Sequence, residues 1–263
     1  MTQKAFNYRF YPTPEQESLL LRTLGCTRLV YNRALAARTE AWYQEQKRVG
    51  YAETSSMLTQ WKKTKELDFL NEVSCVPLQQ GLRHLQTAFN NFFAGRAKYP
   101  VFKKKRNGGS AEFTRSAFRF KDGQVFLAKC TQELPIRWSR MLPSGVEPST
   151  ITVKLSTSGR WSVSLLVDVD IEKLPELSSQ VGIDLGITSL LTLSTGEKIV
   201  NPKGFKSKYR QLRRAQKALS RKQKGSLNRH KARLKVAKLH QEIADARIDY
   251  RNCSQLDCCA KTK

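Results

Sequence analysis

Hydrophobic and polar positions alternate at the start of the chain, with Phe6, Tyr8 and Phe10 set against Asn7 and Arg9, and this period of two predicts a half-buried strand. The period then lengthens. Thr13 can cap a helix, Pro14 suits its first position and Gln16 completes a Thr-x-x-Gln capping box, so a helix starts here. Helical patterning continues to about residue 95. Its clearest stretch is Leu78, Leu82, Leu85, Phe89 and Phe92, whose spacings of four and three make a single apolar stripe. Such a stripe is a core face rather than a base-stacking platform. From Glu112 to Val169 the period of two returns. Ile151, Val153 and Leu155 alternate, a turn containing Gly159 follows, and Trp161, Val163, Leu165 and Val167 alternate again, which predicts a hairpin. Together with the opening strand it predicts a small antiparallel barrel or sheet into which the helices of residues 14 to 95 are inserted.

A linker with Pro175 and Ser178-Ser179 leads to a second domain. It opens with the apolar run from Val181 to Leu193, turns at Thr195-Gly196 and returns through Lys198-Ile199-Val200. Residues 203 to 238 then hold fifteen Lys and Arg and no Asp or Glu, while Ala232, Val236, Leu239, Ile243 and Ala246 keep a helical stripe, so one face packs and the other is basic.

Charge now changes the picture. Forty-seven Lys and Arg against twenty-two Asp and Glu give a formal net charge of +25, a field whose simplest partner is a polyanion. Nucleic acid is the leading class, with no small-molecule substrate indicated. Two basic regions are candidates for phosphate contact: Lys103, Lys104, Lys105 and Arg106 in a run that breaks into Gly108-Gly109, and Lys203, Lys206, Arg210, Arg213, Arg214, Lys217, Arg221 and Lys222 ahead of the last apolar stripe. No stretch approaches a membrane span and Met1-Thr2-Gln3-Lys4 lacks the core of a signal peptide, so a cytoplasmic protein without a membrane partner is expected. Cys26, Cys75 and Cys130 are scattered and imply no disulfide framework. Cys253, Cys258 and Cys259, even with His240, lack the paired spacing of a zinc site, and zinc is not expected.

Asp184 is the acid to notice. It sits in the apolar run with Gly182 and Gly186 beside it, where burial would make its charge costly unless an ion pair, a metal or catalysis offset it. A water-facing aspartate on an edge strand is the plain alternative. Two fold groups open a hairpin in this way, the Hsp70/sugar-kinase ATPases and the RNase H-like nucleases. A motif that arrives only at residue 181 and is followed by basic helix favours the nucleases.

Phe10-Tyr-Pro-Thr-Pro-Glu-Gln16, Leu29-Val-Tyr-Asn32, Tyr99-Pro-Val-Phe-Lys-Lys104, Gly159-Arg-Trp161 and Gly182-Ile-Asp-Leu-Gly186, in this order, resemble the TnpB (OrfB) family of transposon-encoded, RNA-guided DNA nucleases. The resemblance runs from residue 4 to about 250. It implies an α+β protein: a wedge-type antiparallel β-barrel from residues 1–13 and 96–172, a helical recognition lobe from 14–95, and an incomplete RNase H-like (RuvC) α/β domain over 180–250. It also implies a guide RNA from the transposon end and DNA as partners. Asp184 matches the family's first catalytic aspartate and metal ligand, in a site where two Mg²⁺ ions about 3.5 to 4 Å apart steady the attacking and leaving oxygens. The family's later glutamate, final aspartate and four-cysteine zinc module have no counterpart here, so cleavage by this chain alone is not expected. An inactive RNA-guided DNA-binding regulator and a non-functional pseudogene product are the alternatives. Residues 251–263 lose the helical stripe, and with suitable synonymous codons a neighbouring frame spells a family-like continuation, so this tail is expected to be out of frame.

Overall fold

The computed structural model of the protein describes residues 2–143, 145–170, 180–186, 188–200 and 205–261, with side chains described as far as residue 250. The chain forms two compact units that divide between Ile171 and Glu172. The linker residues Pro175, Ser178 and Ser179 lie outside the described residues.

The first unit begins with β1 (Thr2–Phe10), then α1 (Pro14–Glu45), α2 (Tyr51–Trp61) and α3 (Cys75–Phe93). It continues with β2 (Gly109–Thr114), β3 (Phe118–Lys121), β4 (Gln124–Leu127), β5 (Ile136–Arg137), β6 (Pro148–Leu155) and β7 (Trp161–Val169). Five strands form one antiparallel sheet in the order β2-β6-β7-β1-β5, and β3 and β4 pair separately. β1 pairs along its length with β7, from Thr2↔Val169 to Arg9↔Ser162, so all three helices lie in the chain between two strands of one sheet.

The alternation of the sequence is realised in the pleat. Phe6, Tyr8 and Phe10 of β1, Ile151 and Val153 of β6, and Val163, Leu165 and Val167 of β7 are all buried in one core with Phe113. The expected closed barrel does not form among the described residues, because the ladder ends at β2 and β5. β5 is two residues long and reaches only Arg9 and Phe10, and the chain between β2 and β5 is diverted into the β3–β4 hairpin. No strand among the described residues bridges the two edges.

The capping box at α1 is present, with Gln16 N–H donating to Thr13 Oγ1 at 3.3 Å and Thr13 N–H to Gln16 Oε1 at 3.1 Å. The same buried Gln16 donates from Nε2 to the Glu133 carbonyl at 2.7 Å, so the helix start is tied to the loop ahead of β5. Trp161 adds a second tie from β7, donating from Nε1 to Glu17 at 3.2 Å while its ring rests 5.8 Å from that of Phe10. Four residues of the family-like motifs, Phe10, Thr13, Gln16 and Trp161, thus serve one junction between helix and sheet.

α1 and α3 run parallel: Arg22 pairs with Glu72 just before α3, Thr27 faces Gly81, and Arg38 donates to Gln86. α2 carries the chain back between them. Val30, Ala34, Leu35, Leu58, Leu78, Leu82, Leu85 and Phe89 fill the core of this helical group, so the Leu78–Phe89 stripe is a packing face. Gly81 permits the close approach, since a Cβ there would stand 3.2 Å from Thr27 Cγ2.

The second unit holds β8 (Ile183–Leu185), β9 (Ser189–Leu193) and β10 (Lys198–Val200), antiparallel in the order β10-β9-β8, followed by α4 (Phe205–Ser220) and α5 (Leu227–Lys261). The basic region after the sheet is helical but broken at residues 221–226. Gly225 takes φ +89°, open to glycine at little cost, and Ser226 Oγ accepts from Arg229 N–H at 3.1 Å to start α5. The two helices lie antiparallel, joined by Arg247 on Tyr209, Gln216 beside His240 at 3.4 Å and Arg229 on the Leu219 carbonyl at 3.1 Å.

Candidate nucleic-acid interface

Asp184 is paired with Thr192 on the outermost strand of the three-stranded sheet. It is exposed, and its apolar neighbours Ile183 and Leu185 are 58% and 75% exposed. The sequence led us to expect a carboxylate hemmed in by apolar residues; the edge position of β8 puts it in water instead. The room left by the glycines is taken up within the sheet. Gly182 exchanges hydrogen bonds with Ser194, at 3.0 Å to its Oγ and 2.8 Å from its N–H, and a Cβ on Gly186 would stand 2.9 Å from the Ser189 carbonyl. No group of three or more His, Cys, Asp or Glu side chains converges anywhere among the described residues. These residues do not fit a two-metal site, and Asp184 supplies one carboxylate to it at most. Because the group is solvated, Asp184→Asn should leave the thermal midpoint within about 1 to 2 °C of the parent, the usual size of a surface change. A shift of many degrees would show a carboxylate that is buried or paired.

The basic positions are better placed. Lys206, Arg210, Arg213, Arg214, Lys217, Arg221 and Lys222 are all exposed, and Lys203 lies outside the described residues. Lys206, Arg210, Arg213 and Lys217 follow at spacings of four, three and four, a single stripe on α4 roughly 16 Å long at the rise of an α-helix. The buried Leu212 and Ala215 mark the other side of the same helix. Sequence reasoning did not nominate Lys231, Lys235 and Lys238, also exposed, which repeat the pattern on α5; the acid-free run was their signal. Neither helix carries an acid in its first turn, against the preference of the helix dipole, at about 0.3 to 1 kcal/mol per misplaced charge. Arg229 has a use within the hairpin, donating to the carbonyls of Leu219 and Lys222 at 3.1 and 2.7 Å and so closing the end of α4.

The run Tyr99–Arg106 is a loop with one 3-10 turn at Lys105–Asn107, and it meets the Leu29–Asn32 segment of α1. Asn32 brackets the Lys103 backbone, accepting its N–H at 2.8 Å and donating to its carbonyl at 3.0 Å. Lys103 Nζ lies 4.1 Å from the centre of the Tyr31 ring, and desolvation pulls its pKa below the usual lysine value. Lys103 thus lies over the Tyr31 ring while remaining, like Lys104, Lys105 and Arg106, an exposed residue. No pattern within one sequence links an asparagine on a helix to a loop seventy-one residues later. Asn32→Ala should cost only about 1 to 2 kcal/mol, yet it should speed amide exchange at Lys103, whose N–H loses its acceptor. Unchanged exchange there would mean that the clamp is not populated.

Residues 162–254 match a family model described as a probable transposase, OrfB_IS605, and residues 1–47 match its companion described as a helix-turn-helix domain. In the structure that second segment is a strand and one uninterrupted helix, with no helix-turn-helix. A Streptomyces pristinaespiralis protein named "Putative RNA-guided DNA endonuclease" is 59% identical over 249 residues, covering 94% of this chain and 62% of its own length. InsQ of Escherichia coli (strain K12), which bears the same description, is 33% identical, again over 94% of this chain and 61% of its own length. The chain thus spans about three fifths of these relatives. Among solved structures, one titled as a Cas12f1-sgRNA-target DNA complex aligns with a TM-score of 0.55 over 95% of this chain and 64% of that one, at 14% identity, a likeness of fold. No described helix is long and apolar enough to cross a membrane. With two family models on its two ends and high identity along nearly all of its length, the chain belongs to the TnpB (OrfB) family of transposon-encoded proteins.

Proposed function

We propose that this chain binds guide RNA and DNA as part of an RNA-guided DNA endonuclease system encoded by a transposon, and that it does not cut DNA alone. The observation that carries the binding is the acid-free basic stripe of α4, exposed on the side away from Leu212 and Ala215. The names of the relatives and the contents of the Cas12f1 complex support the choice of RNA and DNA as partners. In this reading residues 1–13 and 96–172 correspond to a wedge domain, 14–95 to a recognition lobe and 180–250 to the opening of a RuvC-like domain. Asp184 is that domain's first metal-binding carboxylate, with Mg²⁺ as the metal, and its isolation on β8 is the reason for expecting no cleavage by this chain by itself. The out-of-frame origin of residues 251–263 remains part of the proposal, and the nucleotide sequence of the gene tests it.

The binding test is a salt titration. Affinity for transposon-end RNA and for duplex DNA is measured for the parent chain and for one in which Lys206, Arg210, Arg213, Lys217 and Arg221 are all Gln. A large loss with a flatter salt dependence supports the stripe as a phosphate contact. Equal affinities at every salt concentration would overturn it.

A further inference from the structure

Resting on the nucleic-acid reading above, we propose that Phe102 is a base-stacking residue for an unpaired stretch of nucleic acid. The loop that carries it is pinned at both ends to one face of α1. Tyr99 Oη and Thr39 Oγ1 share a hydrogen bond at 2.8 Å, and four residues on, Lys103 is bracketed by Asn32 and laid over Tyr31. Thr39 and Asn32 are seven residues apart, about 10 Å along a helix, while Tyr99 to Lys103 spans about 13 Å when extended. The segment is thus a nearly taut strap running antiparallel to α1. Tyr99 is further fixed by edge contacts with Phe89 and Phe92, ring centres 5.5 and 5.3 Å away.

Between the pins Pro100 is buried, and Val101 and Phe102 are 76% and 54% exposed. A phenylalanine on a slack loop could fold back onto the protein. On a strap held this short it stays presented to solvent, leaving unclaimed the stabilisation that burying the ring would give.

Charge identifies the occupant. Residues 94–111 contain Arg96, Lys98, Lys103, Lys104, Lys105 and Arg106 and no Asp or Glu. A flat apolar ring followed at once by four exposed cations, Lys103 to Arg106, complements a ligand that alternates flat apolar faces with negative charge, which is a nucleic acid with accessible base faces. A duplex offers the same phosphates but keeps its base faces stacked inside. The platform should therefore favour unpaired over paired strands, from RNA or DNA alike.

The full chain, freed of co-purifying nucleic acid, would be titrated with an oligonucleotide carrying 2-aminopurine, whose fluorescence falls on stacking. Unpaired RNA, unpaired DNA and the duplex of the same sequence are the three arms, and the unpaired strand that binds more tightly identifies the source. Phe102→Ala should weaken binding of that strand about tenfold, within the range for loss of one base–aromatic stack, and abolish the quenching. Phe102→Trp should keep both. Duplex affinity should not change in either variant, which also reports that each is folded. Unaltered affinity and quenching in Phe102→Ala, with the parent still binding, would overturn the proposal, leave the nucleic-acid reading standing and assign the exposed ring to a protein contact. A parent that binds neither strand nor duplex would overturn both.

Discussion

Gly108→Ala should lower the thermal midpoint of the first unit by roughly 6 to 12 °C. Gly108 stands at φ 76° and ψ −151°, a region that essentially only glycine enters. An added Cβ would lie 2.2 Å from the Leu155 carbonyl oxygen, which is backbone and cannot swing aside. The next residue, Gly109, opens the β2–β6 ladder opposite Leu155, so relief of the clash must come from the ladder itself. Backbone strain of about 1 to 3 kcal/mol and the displaced ladder together come to at least about 3 kcal/mol, each worth about 2 to 4 °C in a unit of this size. Gly159 is the internal control. It also has positive φ, at 83°, but a Cβ there meets nothing within 4 Å, so Gly159→Ala should cost only about 1 to 2 kcal/mol. Circular-dichroism melts of the two variants against the parent decide the matter, and equal melts for Gly108→Ala and Gly159→Ala would show that the contact with Leu155 does not bind the two segments. Gly108 also comes two residues after Arg106, so the same backbone constraint sets where the basic strap ends and the sheet begins.

Replacing Lys206, Arg210, Arg213, Lys217 and Arg221 by Gln should reduce affinity for nucleic acid by about three to four orders of magnitude at 0.1 M salt, if each contacts one phosphate. Each phosphate neutralised contributes about 0.7 to 0.9 to the slope of log affinity against log salt, so five removed contacts should flatten it by about 4. The loss should be uniform across sequences, since a point charge on phosphate reads no base. The fold should survive, because all five side chains are exposed and the packed side of α4 is untouched. If affinity fell while the slope stayed as steep as the parent's, the stripe would be acting on structure rather than on phosphate.

The local pattern of residues determined much of this architecture. The two-residue period in β1, β6 and β7, the capping box at Thr13 and Gln16, the turn at Gly159 and the apolar face of α3 each depend on neighbours within one or two turns of chain, and each is found where the pattern placed it. Charge was legible for the same reason, because an acid-free run remains basic however it folds.

Tertiary structure decided what depends on distant partners. The sheet stayed open because β5 is short and the chain before it turns away into a hairpin, a matter of pairing across more than a hundred residues. The basic region became two antiparallel helices because Arg229, Gln216 and Tyr209 found partners on the opposite helix. Lys103 was laid over Tyr31, with its backbone held by Asn32. Asp184 shows the same division most clearly. Its apolar neighbours mark a strand, but whether a strand's faces are covered depends on what packs beside it, and β8 at the sheet edge leaves the carboxylate in water. Periodicity is a property of adjacent residues, whereas burial and pairing belong to surfaces brought together by folding.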